Sequence, residues 1–124
     1  MENMLVIGTG GFFGAASRYA VAQWVGERWG RSFPMGTLAV NLTGCFLIGL
    51  LMFLLSEKLL VNPLWRSLLV IGFLGAYTTF STFEYETGNL LTDGEFLYAA
   101  INIAASVLCG FAALKLGELL ARII

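Results

Sequence analysis

The apolar residues of this chain gather in four windows, at about residues 4–25, 35–55, 65–91 and 96–120, each near the roughly 20 residues that a bilayer-crossing helix needs. Polar and charged residues concentrate in the short breaks between them, which read GERWGRSFP, SEKLLVNP and TDGE. Short connections favour neighbouring antiparallel helices. Glu2 stands where a cleavable signal peptide carries positive charge, so we expect a permanent first span. The pattern predicts an all-α, multi-pass membrane protein with a single four-helix domain over residues 1–124.

The composition agrees with a chain that faces lipid or other protein. Of the 124 residues 58% are hydrophobic and 12% are charged, whereas soluble domains are about 25% charged. The net charge of −1 excludes a basic surface for nucleic acid. The sequence has no histidine, the commonest general base and metal ligand, and shows no activated nucleophile, so we expect no enzyme. Cys45 and Cys109 lack metal-ligand spacing and are interpreted as packing residues.

The first window combines close-packing glycines with a charge. Gly10 and Gly14 form a GxxxG pattern, which lets two helices approach closely. Arg18 lies inside the window, where an arginine costs about 2.5–3.5 kcal/mol on insertion scales. Two interpretations stay open: Arg18 faces protein or water, or its side chain reaches back to the membrane interface.

Polar residues recur at helical spacing in the second and fourth windows. Thr37 and Asn41 lie four apart and share a helix face. Asn41 needs a partner, either another helix or a permeant species, and its amide NH₂ would suit an anion. In the fourth window Asn102, Ser106 and Gly110 also recur every four residues. That stripe indicates either close packing or a polar lining.

The third window contains the run GAYTTFSTFEYE, which is unusual for a membrane helix. Glycines followed by the β-branched Thr78 and Thr79 make a poor helical core, so we predict a break near the middle of the third helix. Irregular backbone at that depth survives only inside protein or along a cavity. Its unpaired carbonyls are suited to bind cations.

Beyond the predicted break, Phe80 and Phe83 lie three apart on one face. The positive edges of phenyl rings attract anions, and Ser81 and Thr82 add hydroxyl donors. Weak, repeated donors suit conduction, because an ion must leave as readily as it enters. The alternative is a kinked helix whose aromatic rings pack the core.

The positive charges give little orientation bias. Lys58, Arg66 and Arg122 fall on one predicted side of the membrane, and Arg28 and Arg31 fall on the other. A difference of about one charge does not fix orientation. Four helices enclose little space, so we expect an oligomer, either an antiparallel pair or a weakly biased parallel assembly.

Three motifs in this order resemble the CrcB/Fluc family of fluoride channels. They are GAASR (residues 14–18), GTLAVNLTG (36–44) and GFLGAYTTFSTFEYE (72–86), and a fourth span follows them. The resemblance covers nearly the whole chain. It implies a passive, fluoride-selective channel of the inner membrane that exports cytoplasmic fluoride. It also implies an antiparallel, dual-topology homodimer with two pathways.

The resemblance assigns roles to individual residues. The pathway positions that it implies are Phe80, Phe83, Asn41, Thr37, Ser81, Thr82, Ser106 and Asn102. A structural Na⁺ at the dimer centre would be held by the backbone carbonyls of Gly75 and Thr78 from both chains. Arg18 matches a vestibule arginine, and Glu86 matches the acid that ends the third motif. The chain departs from relatives at Ala76, where a second glycine is common, and at Asn102, where some carry tyrosine.

Two other functions fit part of the pattern. A small proton-coupled transporter of the multidrug type shares the size and the four spans, but it needs a membrane acid that the first window lacks. A non-transporting membrane scaffold would explain the GxxxG pattern but not the run of phenylalanines and hydroxyls.

Overall fold

The computed structural model describes residues 2–30, 32–59 and 61–124, and within them the chain is helical with no β-strand. The helices are α1 (Glu2–Trp29), α2 (Met35–Lys58), α3 (63–77), α4 (Phe80–Thr92) and α5 (Phe96–Ile123). The all-α fold is therefore confirmed. Arg31, which entered the charge comparison, lies outside the described residues.

The helices match the four windows and extend them by a few residues. Among the described residues, α2 and α5 are the helices that are long and apolar enough to cross a membrane by length and composition. The third window is divided, since α3 ends at Tyr77 and α4 begins at Phe80. The crossing of the bilayer by α1 and by the α3–α4 pair stays a prediction.

The helix ends follow local sequence signals. Gly30 and Gly94 have φ of 83° and 79°, a conformation that glycine adopts without strain, and each ends the preceding helix. At the start of α3, the Asn62 side chain accepts a hydrogen bond of 2.9 Å from the Leu64 N–H, and Pro63 occupies the first helical position.

Glycines bring the helices into backbone contact. A methyl group at Gly10 or Gly14 of α1 would collide with the carbonyl oxygens of Leu68 and Phe73 in α3. The predicted use of GxxxG in helix packing is confirmed. Gly49 of α2 and Gly117 of α5 join these two helices in the same way, against the carbonyl oxygens of Leu114 and Phe46.

The core lies where α2 meets the end of α3. Val40, Leu74 and Tyr77 are buried there in one cluster. Many large apolar side chains instead lie on the outer surface, among them Phe12 and Leu97. Exposed apolar surface on this scale is typical of a chain that faces lipid or another subunit.

Candidate functional site

The break in the third helix consists of two extended threonines. Thr78 has φ −84° and ψ 156°, and Thr79 has φ −148° and ψ 122°. Gly75 keeps helical angles (φ −60°, ψ −35°), so the chain leaves the helix at the β-branched residues and not at the glycines. The predicted break is confirmed, and its position is now fixed between Tyr77 and Phe80.

Asn41 of α2 holds this break through both groups of its side-chain amide. Its Nδ2 donates to the Thr79 carbonyl at 3.0 Å, and its Oδ1 accepts from the Thr79 N–H at 2.9 Å. The side chain therefore replaces, for Thr79, a peptide partner that the helix no longer supplies. The Thr79 backbone is thus the partner on another helix that one of the two interpretations of Asn41 predicted. The contact of Asn41 with an anion stays a prediction.

The same bonds redirect donors away from two carbonyls. In a continuous helix the Thr79 N–H would donate to Gly75, and the Thr82 N–H would donate to Thr78. Here Thr79 N–H donates to Asn41, while Thr82 N–H donates to the Thr79 hydroxyl at 3.3 Å. The break thus diverts the usual helical donors of Gly75 and Thr78, the two residues predicted to bind a cation.

Further contacts fix the break from α1 and α2. Arg18 donates through Nε to the Ala76 carbonyl at 3.1 Å, so its guanidinium faces protein. The hydroxyls of Thr43 and Tyr77 lie 2.9 Å apart. Sequence reasoning gave Thr43 no role, although it lies only two residues after Asn41.

The two phenylalanines after the break differ sharply in exposure. Phe83 is 7% exposed and Phe80 is 73% exposed, although their ring centroids lie 5.8 Å apart at an angle of 51°. Phe83 therefore packs inside the chain, while Phe80 projects from it. Ser81 is exposed, and Thr82 is half-buried beside the Thr79 hydroxyl that caps α4.

The two predicted residues of α5 have different surroundings. Asn102 is 2% exposed and donates through Nδ2 to the Thr87 hydroxyl at 3.0 Å. Ser106, one turn later, lies in the wider π-helical segment Ala105–Cys109. Its hydroxyl oxygen is buried and has no hydrogen-bond partner in the described part of the chain. Thr87 was not singled out from the sequence, although its spacing of four residues from Phe83 indicates a shared helix face.

An open cavity of about 680 Å³ lies between the C-terminal end of α1, the N-terminal end of α2 and the α4–α5 turn. Four of the predicted residues line it: Arg18, Thr37, Thr82 and Glu86. Glu86 is half-buried, and its Oε1 is buried without a partner among the described residues. Among the described residues Arg18 is the basic side chain of this lining, which also includes the acidic residues Glu27, Asp93 and Glu95. The structure thus gives one group of predicted residues a shared cavity and places the others at the break and along α4 and α5.

Comparison with known proteins finds a family model described as "CrcB-like protein, Camphor Resistance (CrcB)", which matches residues 5–118. Several relatives carry the name "Fluoride-specific ion channel FluC". The one from Solibacter usitatus is 48% identical over 118 residues, covering 95% of this chain and 97% of the relative. The one from Chlorobaculum tepidum is 49% identical over 123 residues, with coverages of 99% and 97%. The one from Geotalea daltonii is 48% identical over 124 residues, with both chains covered completely.

Proposed function

This chain belongs to the CrcB-like family of membrane channels, and from that membership we propose that it is a fluoride-specific ion channel which conducts fluoride passively. The observation that carries the function is an identity near one half, over the full length, to relatives named as such channels. Ion channels transport and do not catalyse a reaction, in agreement with the absence of catalytic signals in the sequence. The proposed direction is export of cytoplasmic fluoride across the inner membrane.

Donors along the chain support a pathway for a strongly hydrated anion. Fluoride must exchange its water for other donors at each step. In the proposed path it enters the cavity beside Arg18 and Thr37 and meets the second N–H of the Asn41 amide, since one N–H already bonds to Thr79. The buried Ser106 hydroxyl, which has no partner among the described residues, is a further donor.

The ring edges of Phe80 and Phe83 continue the proposed path. Their positive edges attract an anion without the strength of a full charge, which favours release as well as entry. Ser81 and Thr82 add hydroxyls along α4. Asn102, which bonds to Thr87, forms part of the wall of the proposed path.

We propose that two copies assemble antiparallel and form two pathways. The 73% exposure of Phe80 supports this assembly, because a pathway ring on a single chain needs a second surface to enclose it. Large exposed side chains on α1, including Phe12 and Phe13, offer apolar area for the same contact. The near balance of positive charges supports insertion in both orientations.

We further propose that Na⁺ is held at the centre of the dimer by the carbonyls of Gly75 and Thr78 from each copy. The local backbone fits this group, since the N–H groups that would occupy these carbonyls in a helix donate elsewhere. Gly75 is also exposed on the single chain and therefore accessible to a second copy. When bound, the cation would supply positive charge near the anion path within the membrane.

The test is fluoride efflux from liposomes that contain the purified protein, followed with a fluoride electrode and with chloride efflux as the control. We expect fast fluoride release, little chloride release, and loss of fluoride flux in the double variant Phe80→Ile/Phe83→Ile. Phe96→Ile/Phe111→Ile is the matched control, because both rings are exposed on α5 outside the site. Unchanged flux in the first pair would overturn the pathway. A folded dimer without fluoride flux would favour a scaffold, and proton-driven cation flux would favour the multidrug-type transporter.

A further inference from the structure

A buried chain of hydrogen bonds joins α5 to the turn of α4 that carries Phe83. Asn102 Nδ2 donates to Thr87 Oγ1 at 3.0 Å, and Thr87 Oγ1 donates to the Phe83 carbonyl at 2.8 Å. Thr87, Asn102 and Phe83 are 6%, 2% and 7% exposed. Hydrogen bonds at such burial are costly to lose, because no water replaces the missing partner.

We call these two hydrogen bonds the relay, and the donor and acceptor groups fix its direction. A threonine hydroxyl has a single hydrogen, and a backbone carbonyl can only accept it, so the Thr87 hydrogen points to Phe83. The hydroxyl lone pairs then accept from Asn102, whose amide NH₂ can only donate. Asn102 therefore donates to Thr87, and Thr87 donates to Phe83, in one fixed direction.

Along the chain, the two hydrogen bonds from Asn41 to Thr79 lie before the pair Phe80 and Phe83, and the relay lies after it. Asn41 fixes the backbone of Thr79, directly before Phe80, and the relay fixes the carbonyl of Phe83 and the turn that follows it. The segment between these two anchors is the first turn of α4, and the break separates it from α3. A threonine that bonds back to the carbonyl four residues earlier also bends a helix slightly. The relay is therefore placed to influence the rotation and tilt of the segment that carries both rings.

We propose that Thr87 and Asn102 are positioning residues for Phe83 in the ion pathway. This inference rests on the proposed function. It assigns Asn102 a role through Thr87 and Phe83, in contrast with Ser106, whose buried hydroxyl lacks a partner in the described part of the chain. Loss of either member should move the Phe83 ring relative to Phe80 and slow fluoride passage.

The experiment compares four variants in the liposome efflux assay. Thr87→Val removes the hydroxyl at nearly constant volume, Asn102→Leu removes the donor, and Thr87→Ser keeps the hydroxyl. Thr92→Val is the matched control, because Thr92 also bonds back along α4, to the Gly88 carbonyl at 3.1 Å, but is exposed. We expect Thr87→Val and Asn102→Leu each to lower fluoride flux about three- to tenfold, the factor that the net loss of one buried hydrogen bond implies. Thr87→Ser should stay within about twofold of the unmodified protein, and Thr92→Val should be unchanged.

Three outcomes would overturn the proposal. The first is equal flux in Thr87→Val and Thr92→Val. The second is a loss in Asn102→Leu alone, which would indicate direct contact of Asn102 with the ion. The third is additive losses in the double variant Thr87→Val/Asn102→Leu, because members of one relay should not add.

A second measurement does not depend on conduction. With 4-fluorophenylalanine at position 83, the ¹⁹F resonance should shift in Thr87→Val and Asn102→Leu but not in Thr92→Val. An unshifted resonance in both variants would overturn the relay even if the protein conducted no fluoride. Absence of fluoride flux in the unmodified protein would overturn the proposed function alone. Should Thr87→Val fail to fold, Thr87→Ala takes its place in both measurements.

Discussion

At the scale of single residues, Asn41 has the most demanding environment. Its amide supplies both a donor and an acceptor to the backbone of Thr79. The side chain of Asn41 is therefore part of the backbone structure of the break.

We predict that Asn41→Leu lowers the free energy of unfolding by about 1–3 kcal/mol, because the Thr79 carbonyl loses its hydrogen-bond partner and the Thr79 N–H must find another. Thermal or denaturant unfolding in detergent measures the change. Asn3→Ala is the control, since Asn3 also bonds to the third helix, where it accepts an exposed 3.4 Å hydrogen bond from the Ser67 hydroxyl. Equal stability of the two variants would show that Asn41 is not needed to hold the break.

Asn41 and the two phenylalanines show which properties of single residues the sequence alone predicts. Asn41 was singled out because an asparagine in an apolar helix needs a partner, and this physical argument holds in the structure. The identity of that partner is a long-range property of the fold, since Thr79 is 38 residues away. Sequence spacing placed Phe80 and Phe83 together but did not predict that one is buried and the other exposed.

At the scale of elements, glycine contacts explain how α1 reaches α3. The carbonyl oxygens of Leu68 and Phe73 occupy the space that side chains at Gly10 and Gly14 would need. Backbone cannot move aside as the end of a flexible side chain can. The contact also sets the distance from which Arg18 reaches the Ala76 carbonyl.

We predict that Gly14→Ala lowers the free energy of unfolding by about 1–3 kcal/mol, the usual cost of overpacking, or by more. Gly8→Ala is the matched control on the same helix, because nothing lies within 4 Å of the added methyl group. The control should be neutral or slightly stabilising, since alanine is the better helix former. Unfolding midpoints in one detergent provide the comparison. A similar midpoint for both variants would mean that α1 and α3 separate readily.

The break illustrates why elements are easier to predict than their ends. A run of glycines and β-branched residues predicted an interruption, and the interruption exists. It falls at Thr78 and Thr79, where the Asn41 amide accepts from the Thr79 N–H and the Thr79 hydroxyl accepts from the Thr82 N–H. Gly75 remains helical, and its N–H still donates within the helix, to the carbonyls of Gly72 and Val70. The choice depends on a neighbouring helix, which local propensity does not include.

At the scale of the whole molecule, the exposed rings and the diverted donors both bear on the proposed assembly with a second copy. We predict that Na⁺ stabilises the dimer, so that replacing it with N-methyl-D-glucamine at constant ionic strength lowers the unfolding midpoint. At a concentration 100 times the dissociation constant, a bound ion contributes about 2.7 kcal/mol. A titration of the midpoint against Na⁺ concentration measures the effect.

Asn41→Leu gives this titration an internal control. Without the Asn41 amide, the Thr79 N–H is able to return to the Gly75 carbonyl, and the sodium dependence should weaken. Asn3→Ala should keep the full dependence. An unfolding midpoint of the unmodified protein that does not depend on Na⁺ concentration would contradict the cation site. The break would then have a role in protein packing only.

The antiparallel arrangement makes a prediction about charge that a parallel one does not. Glu2→Lys/Glu57→Lys adds two positive charges to the predicted side that carries Lys58, whereas Arg66→Gln/Arg122→Gln removes two from it. Each variant alone should insert mainly in one orientation, because Lys and Arg near the ends of the spans decide topology.

We therefore expect each charge variant to give little fluoride flux when produced alone and to regain it when both are produced together. Efflux from liposomes, with the topology of each variant read from accessible cysteine tags, measures this. Glu2→Gln/Glu57→Gln is the control and should behave as the unmodified protein, because acids contribute little to orientation. Full flux from either charge variant alone, in a single verified orientation, would mean that parallel copies form the channel. Restoration only in the mixture would place oppositely inserted copies in the same functional unit, with each copy completing the surface around the exposed ring of the other.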